Sequence, residues 1–435
     1  MEWYLKAAAQ GLPNAESDIG VMYHYGFGVE KDNQKALEWY STAADKGLTV
    51  AQFNMEYMYF HGHGVDKDYK LAMDWFIKAA EQDSETAMID VAIMYHNGHG
   101  VDKDSKKAFE WYMKAAELGS DQAQIDVALM YQDGEGVEQD YTKAMEWLLK
   151  AAEGDRPQAK VAQSEIGTMY LLGNGVEKDS KKAFGWYMKA AEKCQALAQY
   201  NIGYMYYHGE GVDQDPKKSV EWLGKAALQG YQKAQSQLGY LYLIGDGVDQ
   251  DYTKALELIV PAANKGEHVA QRNLASLYAQ GMGVGLDYKK AMELYLKAAE
   301  QGDSLADFSV GLMYDQAEGV EKDLTKAFEW YMKAAEKGLV KAQYNIGTMY
   351  RDGDGVEKDS QKAFDWFLKA AELGYVEAQH NLAAMYYIGN EGRGKDVTKA
   401  VEWYRKSAEQ GYKISQFSMG TLLRLGEYDG LLACE

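Results

Sequence analysis

Cysteine, proline and basic charge are all scarce in this chain of 435 residues. The two cysteines, Cys194 and Cys434, cannot form a disulfide framework, which indicates a reducing compartment. Only 4 prolines accompany 44 glycines, a balance that favours helices with glycine at their ends. Lys and Arg number 46 against 66 Asp and Glu, and the formal net charge is −20. A nucleic-acid partner is therefore not expected, because phosphate binding needs a basic surface.

Long apolar runs are missing as well. No segment approaches the roughly 20 apolar residues of a membrane-spanning helix, and the first residues, MEWYLKAAAQG, do not resemble a signal peptide. The acidic balance also disfavours binding to anionic membrane surfaces. These absences predict no membrane insertion and a cytoplasmic location.

A glycine-rich turn recurs through the whole chain. One copy is YFHGHGVDKD, residues 59–68, and the step between copies is 36 residues, with one step of 39 between Gly134 and Gly173. Ala317 fills the one place where the glycine is missing. The first glycine of the turn lies at Gly26, Gly62, Gly98, Gly134, Gly173, Gly209, Gly245, Gly281, Gly353 and Gly389. A fixed period in this range is typical of stacked supersecondary units.

Each repeated unit contains two helical patterns. The first, which we name helix B, follows an aspartate that is a favoured helix N-cap, as in Asp32 before NQKALEWYSTAADKG. The second, helix A, is exemplified by AQFNMEYMYFHG and is closed by the turn glycine Gly62. Apolar residues recur at helical spacing in both.

All ten tryptophans occupy one equivalent place in helix B. They are Trp3, Trp39, Trp75, Trp111, Trp147, Trp186, Trp222, Trp330, Trp366 and Trp403. Recurrence at one place indicates a packing role between units more strongly than a surface for stacking sugars or bases.

The repeated pattern resembles the Sel-like (Sel-one-like) repeat family, a relative of the tetratricopeptide repeat. It reads A-x-x-x-(L/I)-G-x-M-Y-x-x-G-x-G-V-x-x-D-x-x-K-A-x-x-W-Y-x-K-A-A-E-x-G, and residues 198–230 are a nearly ideal copy. The resemblance implies an all-α, right-handed superhelical α/α solenoid of about twelve 36-residue helix hairpins, with incomplete terminal units. It further implies that helix A lines the concave face and that the protein is a scaffold or adaptor. We expect one solenoid over residues 1–435, bent near 153–163 and 255–263, where three extra residues and Pro261 interrupt the repeat.

Comparison of the units with one another predicts the residues of a binding groove. The places two and six residues after the alanine that opens helix A vary most and lie on one helical face. The place three residues after it is polar in every unit. The predicted groove residues are Phe53, Asn54, Tyr57, Tyr200, Asn201, Tyr204, Tyr240, Asn273, Tyr344, Asn345 and Asn381.

The aromatic residues of this set are candidate anchors for a peptide. The asparagines resemble the ladder that grips the backbone of an extended ligand in tetratricopeptide superhelices, so the resemblance implies the same option here. Two alternatives stay open: the aromatic residues only pack helix A against its neighbours, and the asparagines only join helices. Early units carry Asp18, Asp90, Asp126 and then Glu165 at the polar place, which predicts a basic peptide in the N-terminal half.

Two motifs resemble sites for small ligands. His61, His63, His96 and His99 crowd the early turns and are candidates for a metal site, but zinc needs four close ligands, so exposed turn histidines are the favoured interpretation. GNEGRGKD, residues 389–396, resembles a phosphate loop but has Asp396 where Ser or Thr would bind magnesium. No cofactor is therefore expected.

The sequence predicts a non-catalytic scaffold or adaptor that binds an extended peptide or a partner domain in the groove. The alternative is a regulatory subunit that activates an enzyme through its convex face or its ends. A metal- or nucleotide-dependent enzyme is a third alternative. The last helix A, SQFSMGTLLRLG, has no helix B after it, so either the chain is a fragment of a longer protein or something covers its ends. End-to-end self-association is one way to cover them.

Overall fold

The computed structural model describes residues 1–153, 156–389 and 394–426. Cys434, the middle of GNEGRGKD and two residues of the bend predicted near 153–163 lie outside the described residues. Every regular element in the described ranges is an α-helix. The helices are α1 (Glu2–Ala8), α2 (Pro13–Tyr25), α3 (Asn33–Asp45), α4 (Thr49–His61), α5 (Tyr69–Ala80), α6 (Glu85–Asn97), α7 (Ser105–Glu117), α8 (Asp121–Asp133), α9 (Tyr141–Ala151), α10 (Ala159–Leu172), α11 (Ser180–Glu192), α12 (Ala196–His208), α13 (Pro216–Leu228), α14 (Gln232–Ile244), α15 (Tyr252–Asn264), α16 (His268–Gln280), α17 (Tyr288–Glu300), α18 (Ser304–Gln316), α19 (Leu324–Glu336), α20 (Val340–Asp352), α21 (Ser360–Glu372), α22 (Val376–Ile388), α23 (Val397–Glu409) and α24 (Lys413–Arg424).

The helices alternate between the two types that the sequence predicts. Odd-numbered helices are helix B and even-numbered helices are helix A, and most are 13 residues long. The predicted all-α fold of repeated helix hairpins is thereby confirmed. None of the described helices combines the length and the hydrophobicity needed to cross a lipid bilayer.

The chain divides into two compact units, Met1–Asp215 and Pro216–Glu435. The first contains α1 to α12 and the second contains α13 to α24. In the second unit, α15 continues through Pro261, which lies inside the helix. The prediction of a single solenoid and of two bends stays a prediction.

Aspartate caps the N-terminus of helix B, as the sequence predicts. The Asp32 carboxylate accepts a hydrogen bond from the backbone N–H of Lys35 at 3.0 Å, and the Lys35 ammonium lies 3.2 Å from the same carboxylate. The backbone hydrogen bond from Lys35 is the main reason why the pKa of Asp32 lies below its usual value. Each cap satisfies a backbone donor that the first turn of a helix leaves without a partner.

The two glycines of the turn have different structural roles. The first, such as Gly353 with φ +84°, ends helix A in the left-handed conformation, which Ala317 also adopts with φ 59°. The second, such as Gly355, touches the preceding helix B. A Cβ atom on Gly355 would lie 2.2 Å from the carbonyl oxygen of Leu324, so successive hairpins approach closely only because a hydrogen stands there.

The core lies between successive helices and contains small alanines and one large side chain from each helix B. Tyr40, Tyr187, Tyr331 and Phe367 are fully buried, and each directly follows a tryptophan in the sequence. The tryptophans themselves are half-buried at the edge of the core, apart from the exposed Trp3. A lysine covers the outer side of most of them; the Lys78 ammonium, for example, is 3.8 Å from the Trp75 ring centroid.

A glutamine in the first turn of helix A connects it to the preceding helix B. The Gln343 side-chain N–H donates to the Ala335 carbonyl oxygen at 3.3 Å, and the same bond recurs in seven other units. In one unit this place holds Asp307, whose buried carboxylate pairs with Lys337 at 2.5 Å. The sequence analysis did not identify these connections, because each depends on residues that only the folded chain brings together.

Candidate functional site

The helix-A face, which we define as the side chains two, three and six residues after the opening alanine of helix A, carries exposed aromatic residues. Tyr57, Tyr204 and Tyr240, all at the sixth place, are 42%, 39% and 39% exposed. Phe53 and Tyr344, at the second place, are half-buried. An exposed tyrosine offers a large apolar surface and a hydroxyl to a partner at low entropic cost. Tyr200, also at the second place, is half-buried, and its ring centroid lies 6.5 Å from that of Tyr204.

Three clefts on the helix-A face are lined by equivalent residues of the repeat. Each cleft is lined by the buried tyrosine of one helix B and by the helices A on either side of it. We name them by the later helix A: the α4 cleft of about 270 Å³ in the first unit, and the α20 and α24 clefts of about 160 and 180 Å³ in the second. The helix-B tyrosines that line them are Tyr40, Tyr331 and Tyr404.

Five of the eleven predicted groove residues line these clefts, and the other six line none of the three. Phe53, Asn54 and Tyr57 line the α4 cleft, and Tyr344 and Asn345 line the α20 cleft. Phe417 and Ser418, which the sequence analysis did not select, hold the corresponding places in the α24 cleft. The period of the repeat could have predicted both residues. Ser415 stands where other units have the opening alanine of helix A, and Phe417 and Ser418 lie two and three residues after it.

Some asparagines at the third place are already engaged within the protein. Asn201 and Asn345 hydrogen-bond to the hydroxyl groups of Tyr187 and Tyr331 in the preceding helix B. Asn381 donates to the Tyr344 hydroxyl at 3.5 Å. For these three residues the inter-helix role is therefore present, and any ligand would share the amide with a tyrosine.

Two other asparagines have a buried side-chain N–H group without a partner. They are Asn54 and Asn273, whose Nδ2 atoms are inaccessible to water and make no hydrogen bond within the described part of the chain. Asn273 faces a helix B in which Ile259 replaces the usual tyrosine, so the hydroxyl that could accept its hydrogen bond is missing. A buried donor of this kind costs about 1–3 kcal/mol until a partner satisfies it.

Carboxyl groups line the helix-A side of the first unit. Burial raises the pKa of Asp90 to about 6 and also raises the pKa of Asp126 and Glu165. Burial, with a smaller effect of the Asp90 charge, raises the pKa of Glu56 to about 8. Glu56 was missed at the sequence level, although its column of the repeat otherwise contains only small residues.

Replacing Glu56 by glutamine should change how stability depends on pH. Because the pKa of Glu56 is raised from its usual 4.5 to about 8 in the folded chain, the folded state binds more protons than the unfolded state between those values. The wild type should therefore lose stability as pH rises from 5 to 8, by about 1–2 kcal/mol from this group after allowance for solvent screening. Urea titrations at both pH values measure the slope, which Glu56→Gln should reduce. An unchanged slope in the variant would show that Glu56 titrates normally.

The four candidate histidines do not converge on one point. His61 and His63 have ring centroids 5.9 Å apart, whereas His99 stacks on Tyr69 at 5.4 Å. His96 Nδ1 lies 3.6 Å from a Glu135 carboxylate oxygen. Over residues 1–153, 156–389 and 394–426, no group of three or more His, Cys, Asp and Glu side chains is arranged to hold a metal ion.

The last residue of the motif that resembles a phosphate loop, Asp396, is the N-cap of a helix B. Asp396 accepts a hydrogen bond from the backbone N–H of Lys399 at 3.0 Å and so begins α23, as the equivalent aspartates begin other helices B. Residues 390–393 of the motif lie outside the described residues.

Comparison with known proteins agrees with this repeated architecture. A family model described as Sel1 repeat matches residues 1–12, 13–48, 49–84, 86–120, 121–155, 160–193, 196–231, 232–267, 268–303, 304–339, 340–375 and 376–412. The chain belongs to the Sel1 repeat family. Sel1 repeat solenoids are generally protein-interaction scaffolds and generally lack catalytic activity.

Solved structures of other proteins are similar to this Sel1 repeat chain. The crystal structure of c5321, a protective antigen present in uropathogenic Escherichia coli strains that displays an SLR fold, is 35% identical, with a TM-score of 0.77. That similarity covers 97% of this chain and 90% of c5321. A Sel1 repeat protein from Oxalobacter formigenes is 31% identical over 56% of this chain and 96% of that one, with a TM-score of 0.49. No curated protein matches the chain.

Proposed function

We propose that this Sel1 repeat chain is a non-catalytic scaffold or adaptor that binds an extended peptide or a partner domain along the helix-A face. The observation that carries the proposal is the recurrence of one cleft, of the same construction, in both units. Each cleft suits one side chain of an extended segment whose backbone runs along the helix-A face.

The exposed tyrosines support the proposal energetically. Tyr57, Tyr204 and Tyr240 keep roughly two-fifths of their surface accessible although the core is otherwise well covered. Burial of such rings by a partner supplies most of the binding energy in many interfaces, and a few aromatic anchors commonly dominate. The asparagine side chains at the third place offer polar contacts beside these rings, since an amide can both donate a hydrogen bond to a peptide group and accept one from it.

Charge supports a basic ligand in the N-terminal half. Asp90, Asp126 and Glu165 lie on the helix-A side of the first unit, where the second unit has Asn345 and Asn381 at the equivalent place. Lys or Arg side chains of a peptide would meet opposite charge there. Such complementary charge speeds association and fixes the position of the peptide along the face. Cytoplasmic location and end-to-end self-association stay predictions.

The second candidate function is a regulatory subunit that activates an enzyme through a surface outside the helix-A face. Exposed leucines near the ends of helices B favour it: Leu118, Leu228 and Leu373 are 47%, 90% and 61% exposed. These exposed leucines add apolar surface, and exposed apolar surface commonly marks contacts with other proteins.

A paired capture experiment distinguishes the two functions. One bait carries Tyr57→Ala, Tyr204→Ala and Tyr240→Ala, and a matched control carries Leu118→Ala, Leu228→Ala and Leu373→Ala. All six side chains are exposed, so both baits should keep the helicity and melting of the wild type. Quantitative mass spectrometry of proteins captured from a lysate of the source organism should show a specific partner reduced at least about tenfold by the tyrosine variant alone. Loss with the leucine variant alone would favour the regulatory-subunit function and contradict binding at the helix-A face.

A further inference from the structure

We propose that the α4 cleft is a cage for one cationic side chain of the partner peptide, a lysine or an arginine, with Glu56 as its counter-ion and aromatic rings as its walls. The proposal rests on the proposed function and specifies the chemistry that one position of the bound peptide must have.

Glu56 stands in a column of the repeat that otherwise contains only glycine and alanine. The equivalent residues are Gly20, Ala92, Ala128, Gly167, Gly203, Gly239, Ala275, Gly311, Gly347, Ala383 and Gly420. The column is small because it receives the large side chain of helix B; a Cβ atom on Gly311, for example, would lie 2.7 Å from the Tyr331 ring. Packing therefore does not demand a carboxylate at this place, and a role in binding a ligand would account for one.

Two polar groups that line the α4 cleft lack partners within the protein. Within the described part of the chain, the Glu56 carboxyl group makes no hydrogen bond and no ion pair, and the buried Asn54 Nδ2 donates to nothing. One group is an acceptor and the other a donor. A peptide ammonium or guanidinium can donate to Glu56. Asn54 Nδ2, which is inaccessible to water in the empty cleft, can donate to a peptide carbonyl once its side chain rotates toward the cleft.

The remaining walls of the cleft are aromatic. The lining rings belong to His24, Tyr25, Tyr40, Phe53 and Tyr57. The His24 ring is nearly perpendicular to the rings of Tyr25 and Tyr57, with centroid distances of 4.6 and 6.0 Å, and His63 stacks on Tyr57 at 5.3 Å. Rings in this arrangement attract a cation through their negatively polarised faces. The volume of about 270 Å³ is below the roughly 300–1,000 Å³ of sites for drug-sized molecules, and it suits a single side chain.

The titratable groups around Glu56 come from four helices and one turn. His24 and Tyr25 belong to α2, Tyr40 to α3, Tyr57 and His61 to α4 itself, and the Asp90 charge acts from α6. His63, in the turn after α4, packs on the rings of Tyr57 and His24. Burial lowers the pKa of His24, so the imidazole stays neutral near pH 7 and does not repel a cation. Because the pKa of Glu56 is about 8 in the empty cleft, binding of a cation should expel a proton, and affinity should rise with pH up to about 8.

Selection of peptides tests the proposal. Wild-type protein, Glu56→Ala and Glu56→Gln are each panned at pH 8.5 against a phage-displayed library of random peptides. Glu56→Ala is the matched control for folding, since alanine already occupies this column in four other units. A peptide selected by the wild type is then synthesised with Lys or with norleucine at its most strongly selected position, and both affinities are measured by calorimetry at pH 6 and pH 8.

We expect the wild-type peptides to share one Lys or Arg position. Norleucine there should weaken wild-type binding about tenfold or more, and Glu56→Ala should show a clearly smaller difference between the two synthetic peptides. The wild-type affinity for the lysine peptide should rise from pH 6 to pH 8, by at most about tenfold per pH unit, and Glu56→Gln should remove that rise. Wild-type peptides without a basic position would overturn the cage and leave the proposed function intact. Failure of the wild type to select any peptide would contradict the extended-peptide form of the proposed function, and the cage with it.

Discussion

Replacement of Lys337 by methionine is expected to lower the free energy of unfolding by about 2–3 kcal/mol. The Asp307 carboxylate is almost completely buried, with a side chain only 2% exposed, and the Lys337 ammonium is its partner. Removing one member of a buried ion pair leaves an uncompensated charge in a poorly solvated place. The loss falls below the full range for buried pairs because the Lys337 side chain is 37% exposed, so water reaches its site. Urea denaturation followed by circular dichroism measures the change.

The repeat itself supplies the control for this prediction. At the equivalent places, the Gln301 side-chain N–H donates to the Gln271 side-chain oxygen at 2.9 Å. The double variant Asp307→Gln, Lys337→Gln installs the same neutral pair, and we expect it to lie within about 1 kcal/mol of the wild type. If the double variant is as unstable as Lys337→Met, the loss does not come from an unpaired charge, and the electrostatic explanation fails.

Replacement of Gly355 by alanine should cost about 3 kcal/mol, for two physical reasons. The residue has φ +70°, a conformation that costs roughly 1–2 kcal/mol for a residue with a Cβ atom. The new methyl group would also lie 2.2 Å from the Leu324 carbonyl oxygen, so the hairpins on either side must separate. Thermal and urea unfolding of the variant measure the total loss.

Gly374 separates the two contributions. Its φ is +89° and a Cβ atom there would have no neighbour within 4 Å, so Gly374→Ala carries only the conformational cost of about 1–2 kcal/mol. The difference between the two variants is then the energy of the close approach between hairpins. Equal losses in both variants would mean that the second glycine of the turn has no role in setting that approach.

Most of the fold could be predicted from the sequence because the repeat makes its rules visible many times. The 36-residue period, the aspartate before nearly every helix B and the glycine after nearly every helix A are visible in the sequence, and the structure confirms all three. The pairing of Asp307 with Lys337 was out of reach, because it joins residues 30 positions apart that only the fold brings together.

The candidate site could be predicted in part. Variation among units selected Tyr57, Tyr204 and Tyr240, which are exposed, but it could not tell which asparagines bond to a tyrosine hydroxyl and which lack a partner. That distinction depends on the side chain opposite, as Asn273 and Ile259 show. Glu56 was not predicted because it lies outside the variable places, and its signal is a single exception in an otherwise uniform column.

Photo-crosslinking tests the binding face most directly. A benzophenone side chain is introduced at Tyr204 on the helix-A face or at Leu228 at the end of a helix B, both of which are exposed. Each protein is irradiated in a lysate of the source organism, and its adducts are identified by mass spectrometry. The account predicts one specific adduct from position 204 that is absent from position 228. A specific adduct from position 228 alone would contradict binding along the helix-A face.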